Sequence, residues 1–199
     1  MKVRSVVCDK GGHVYEVIQA VATKKYDKGA CSEAVCDIDA MMMALERLRS
    51  SHDADDVVTA LLDDNSAGTD SLPTGVRQLV TDSKNLVAGA LSSMSGREAR
   101  LRVLVETTMH TLAGVFLHCC RLVARSSVDR PPSPGVATNV ADHLMEAARS
   151  LRTTVEAGRA VLEAGSDTSA LDSSKNALLA TAALLAKSLS VLVHEVKTV

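Results

Sequence analysis

Four long runs in the last two-thirds of this chain repeat apolar residues every three or four positions, and that spacing dictates helix. They cover approximately Pro73–Met94, Arg97–Ser126, Ala137–Ala164 and Ala170–Lys197. In the second run Leu101, Val105, Thr108, Leu112, Val115, Cys119 and Leu122 alternate four and three apart, which is the seam of a left-handed bundle. The third run carries Val140, Leu144, Ala147, Leu151, Val155 and Leu162 in the same way. Short breaks at Ser95-Gly96 and Gly165–Ser169 predict antiparallel neighbours, while Ser127–Gly135, with Pro131, Pro132 and Pro134, predicts a stiff surface loop.

Upstream the same period continues. A helix from about Gly12 to Lys25 places Val14, Val17, Ile18 and Val21 on one face, and the Gly11-Gly12 pair is expected to separate it from Met1–Lys10. Tyr26–Ala30 breaks it. A second helix from Cys31 to about Ser51 aligns Val35, Ile38, Met41 or Met42, Leu45 and Leu48, with a short turn of helix expected around Ala54–Leu62. Asp63–Leu72 reads as a loop, after which Pro73 fits the first turn of the next helix. The core must be built largely from Ala, Leu and Val, because the only aromatic residues are Phe116, Tyr15 and Tyr26. Sheets favour aromatic and β-branched residues, so this poverty also argues for helix.

A formal net charge of −2 speaks against a nucleic-acid binder, which needs a basic face to neutralise phosphates. No secretory leader and no membrane span are read from the sequence, so the expected location is the cytoplasm, with any membrane association indirect. Five cysteines, Cys8, Cys31, Cys36, Cys119 and Cys120, form an odd set without the spacing of a disulfide framework. His118-Cys119-Cys120 cannot chelate one ion from adjacent helical positions, so those thiols are expected to act as small buried apolar groups. His143 and Glu146 share a helix face in the wrong order for a di-iron site, and no nucleophile motif or phosphate-cradling loop occurs, so neither enzyme nor cofactor is expected. Arg130–Pro134 can serve as a rigid interhelix loop, a polyproline ligand, or a proline-directed phosphorylation site at Ser133.

The Ala/Ser/Thr-rich, aromatic-poor helices resemble the bundles of the talin rod, vinculin and α-catenin, and the focal-adhesion-targeting domains of focal adhesion kinase and the Cas scaffolds. The second resemblance is carried by His13-Val14-Tyr15-Glu16 leading into Val17–Val21, and by the string Leu79-Val80-Thr81-Asp82-Ser83-Lys84-Asn85-Leu86. The last helix resembles vinculin-binding helices of talin through Leu178, Thr181, Ala182, Leu185, Ala186, Leu189, Leu192, Val193 and Val196. Thr181 departs from that pattern, where the family has Ala.

The expectation is therefore an all-α, up-and-down antiparallel bundle of five or six helices. Residues 1–72 would form an N-terminal helical segment packing on a four-helix bundle of residues 73–199. What the resemblance implies is a protein-interaction module of a cytoskeletal or adhesion scaffold, at adhesion sites or the cell cortex. Its partners would be vinculin-like proteins or short Leu/Asp-rich motifs taken in an interhelix groove. Leu178, Leu185, Leu189, Leu192 and Val196 are the candidate partner-binding residues. A helical regulatory domain for a small GTPase, a lipid or a small molecule is the alternative, and a closed polar cavity rather than an open apolar groove would favour it.

Overall fold

The computed structural model describes residues 10–50, 72–92, 96–128, 135–165 and 167–197. The described chain is all helix: α1 (Lys10–Thr23), α2 (Ala30–Ser50), α3 (Leu72–Leu91), α4 (Arg97–Val128), α5 (Gly135–Glu163) and α6 (Thr168–Glu195). The short helix expected at Ala54–Leu62, Cys8 and the proposed phosphosite Ser133 lie outside the described residues.

The two longest helices are the centre of the molecule. α4 touches α1, α2, α3 and α5, and α5 touches α2, α3, α4 and α6. Thus α1 and α2 cover one side of the α4/α5 pair, and α3 and α6 cover the other. The sequence of α4 explains its position: Val105, Met109, Leu112, Phe116, Cys119 and Cys120 are all buried, so its apolar surface extends beyond a single stripe. Burial holds the Cys119 thiol up at about 12 and pushes Cys120 well above the ordinary thiol range. Cys31 is also buried, whereas Cys36 is exposed.

Small residues set the distances between these helices. A Cβ at Gly89 of α3 would run into the Leu104 side chain of α4, and Gly158 of α5 faces Ala90 of α3. α5 ends where Gly165 adopts φ +57°, a left-handed conformation that side chains disfavour. Asp167 then caps α6, accepting hydrogen bonds from the Ser169 and Ala170 amides.

Polar ties fix α1 and α2 to the central pair. Arg152 on α5 donates to Asp39 at 3.0 Å, Arg49 pairs with Asp142 at 2.8 Å, and Arg159 donates to the Ser32 hydroxyl at 2.9 Å. The link between α1 and α2 is held by Tyr26, whose hydroxyl donates to Asp37 and whose amide donates to Glu106 on α4. His110 Nε2 donates to the Lys24 carbonyl at 2.7 Å. Burial and the Asp37 carboxylate together push the Tyr26 phenol far above its ordinary range.

The first helix begins at Lys10 and includes Gly11 and Gly12, two residues ahead of the expected start, while the segment the glycines were expected to set apart lies, up to Asp9, outside the described residues. A helical glycine costs about 1 kcal/mol relative to alanine, which the buried Val14, Ile18 and Val21 of the same helix offset.

Candidate protein-interaction groove

α3 carries two stripes. The inner one, Val76, Leu79, Leu86 and Ala90, is buried against α4 and α5. The same face contains a buried carboxylate, Asp82, which accepts hydrogen bonds from Thr111 Oγ1 at 2.7 Å and Gln78 Nε2 at 2.9 Å. The second stripe, Val80, Lys84, Val87 and Leu91, repeats at four, three and four and is only partly covered.

α6 rests on α5 and α3 and buries a narrow edge: Leu178, Leu185, Leu189 and Leu192, followed by Val196 after the helix ends. Between Ala177 and Val193 its only charge is Lys187, yet Leu179 and Leu184 are 51% and 60% exposed. A helix apolar on all sides is normally covered on all sides. This one is not.

Where the second stripe of α3 meets α6, a solvent-open groove of about 620 Å³ runs between them. Val80, Val87, Ala88 and Leu91 form one wall, and Ala182, Ala186, Ser190 and Val193 form the other, over a floor that includes Leu185 and Leu189. Lys84 is the one charged residue among the described residues of the lining. Ser83 also lines it, and the Ser83 hydroxyl is buried without a hydrogen-bond partner among the described residues, an arrangement that costs about 1–3 kcal/mol.

Of the five candidate residues on the last helix, Leu185 and Leu189 sit at the groove, Leu178 borders a small void in the core, and Leu192 and Val196 are in the core. All five are 3% exposed or less. Sequence reasoning missed Ser83, Lys84 and the whole α3 wall. Their signal is the second apolar stripe at Val80, Val87 and Leu91, out of phase with the buried one.

A second cavity of about 590 Å³ lies at one end of the bundle, bordered by the α1–α2 link and the start of α4. Its lining mixes Lys28, Arg102 and Arg159 with Asp27, Glu98 and Glu163, and Arg159 pairs with Glu163 at 3.3 Å. Among the described residues no group of three or more His, Cys, Asp or Glu side chains is placed to hold a metal ion.

The reading that no segment approaches a membrane span is corrected. Arg97–Ser126 and Thr168–Glu195 are both long and apolar enough to cross a bilayer by length and composition. The two differ in burial: 56% of the apolar window is buried in the first, as expected of a core helix, and 22% in the second.

Comparison with protein-family models, curated proteins and solved structures finds no match to this chain.

Proposed function

We propose that this chain is a non-catalytic protein-interaction module of a cytoskeletal or adhesion scaffold, acting in the cytoplasm, and that the α3/α6 groove takes an amphipathic helix from a partner. The observation that carries this reading is the combination of an open apolar trough with a single lining cation, Lys84. A helix with Leu at positions three and four apart fits between two helical walls, and the small Ala88, Ala182 and Ala186 side chains allow its backbone to approach closely. Lys84 favours an acidic residue beside the first Leu, which makes a short Leu/Asp-rich motif the occupant of choice.

The up-and-down antiparallel course and the C-terminal four-helix core belong to the same proposal. Support comes from the neighbour pattern: α3 with α4, α4 with α5, α5 with α6, and α6 back to α3 close a ring. The alternative in which α6 itself serves as a vinculin-type ligand requires its release. Exposing Leu178, Leu185, Leu189, Leu192 and Val196 would cost on the order of 1.5–3 kcal/mol per side chain, which favours docking into the groove as it stands.

The test is a nuclear magnetic resonance titration of the full chain with a synthetic Leu/Asp-rich helical peptide. Shifts clustered along Val80–Leu91 and Ala182–Val193 are expected. Shifts confined to the Asp27–Ser32 and Arg159–Glu163 region would move the site to the end cavity and favour the small-ligand or small-GTPase reading.

A further inference from the structure

The side of α6 turned away from the bundle is a second, separate surface. Asp172, Asn176, Leu179, Ala180, Ala183 and Lys187 are all exposed, and at 3.6 residues per turn they form one stripe along the helix. Between Asp172 and Ser190 the fully exposed charges are Asp172 and Lys187, with Lys175 half-exposed at the edge of the stripe, and neither Asp172 nor Lys187 forms an ion pair with another described residue.

The order of residues on this stripe reads nearly the same way from either end. Asp172 and Lys187 stand at its ends with opposite charge, Asn176 and Ala183 lie inside them, and Leu179 and Ala180 lie at the midpoint. A second α6 laid antiparallel across a twofold axis at that midpoint brings each Asp172 beside the partner's Lys187. It also sets Asn176 against Ala183 and Leu179 against Ala180. A parallel pairing would set like charge against like, which disfavours it. Ala180 and Ala183 leave room for close approach, as helix crossings require, and the contact is self-complementary, as a twofold interface must be.

We propose that the outer stripe of α6 is a self-association surface, on which a second copy of this chain lays its own α6 antiparallel, pairing Asp172 with Lys187 twice across a crossing centred on Leu179 and Ala180. The dimer is weak. One helix pair covers less than the about 800 Å² per partner of a stable interface, so the complex dissociates on dilution. The stripe adjoins the α6 wall of the groove at Ala186 and Ser190, so both surfaces share the orientation of α6, but self-association is measured with no peptide present and its failure leaves the partner-helix reading standing.

The experiment is sedimentation equilibrium of the full chain from about 10 μM to about 1 mM, the range in which small interfaces associate. Wild type is expected to show a reversible monomer–dimer equilibrium. D172K and K187D should each weaken it about tenfold, because two exposed pairs worth a factor of about two to five each become repulsive. The double variant D172K/K187D should return to within about threefold of wild type, since the swap restores both pairs. Leu179→Ser should weaken dimerisation with an unchanged helical circular dichroism signal. A chain that stays monomeric throughout overturns the proposal, as does a double variant that fails to recover. So does a monomer that instead pellets with phosphatidylserine vesicles but not phosphatidylcholine vesicles, which would assign the stripe to an anionic membrane surface.

Discussion

Leu184 and Leu185 are adjacent and identical in type, yet α6 sends them to opposite environments. Leu185 is 2% exposed and packs in the core beside the groove, while Leu184 is 60% exposed. Truncating each to alanine changes intrinsic helix propensity by the same small amount, so the difference between the variants isolates burial. Leu185→Ala removes a buried side chain and leaves a cavity, which costs about 2–5 kcal/mol. Leu184→Ala removes atoms already in water and is expected to stay within about 0.5 kcal/mol of wild type. Urea unfolding followed by circular dichroism measures both. With a chain of this size, each kcal/mol also corresponds to about 2–4 °C in Tm, so the pair should separate clearly in a thermal scan. Equal destabilisation by the two variants, or a larger loss from Leu184→Ala, would refute the orientation of α6 and with it the groove and the outer stripe.

Three further outcomes follow from the interior. Ser83→Ala deletes a buried hydroxyl that has no partner among the described residues, so it should stabilise the fold by about 1 kcal/mol in chemical denaturation; a loss of that size would mean the hydroxyl is satisfied. Thr111→Val keeps the side-chain shape but removes a donor to the buried Asp82 carboxylate, and should destabilise by about 1–3 kcal/mol, which urea midpoints will show. Stability should also fall as pH rises above about 9. Cys119 and Cys120 stay protonated in the native state while the unfolded chain ionises its thiols, so each removes up to about 1.4 kcal/mol per pH unit in that range. Replacing both by alanine should flatten this alkaline slope, and an unchanged slope would contradict the assignment.

The helical architecture was legible because its signal is periodic and local. Of the α4 seam read from spacing, the positions from Leu101 to Cys119 are buried and Leu122 is half-buried, and the breaks at Gly96 and Gly165 fall where helices end. The groove was not legible to the same degree. Its α3 wall depends on which of two apolar stripes faces the core, and only the packing of Leu79 and Leu86 against the centre settles that Val80 and Val87 border α6. The last helix misled for a related reason. Leu178, Leu185 and Leu192 mark its buried edge, but Leu179 and Leu184 are equally large and face outward, so neither size nor apolar character separates the two sides of this helix.

Docking of a partner helix in the α3/α6 groove is measured by titration calorimetry with the same Leu/Asp-rich peptide. Ala88 and Ala186 are exposed and lie on opposite walls, so Ala88→Glu and Ala186→Glu block the trough without disturbing the core. Docking in this groove requires each substitution to weaken peptide binding by at least about tenfold, since a carboxylate would be forced against an apolar helix face, with the unfolding midpoint unchanged. Wild-type affinity in both variants would contradict it.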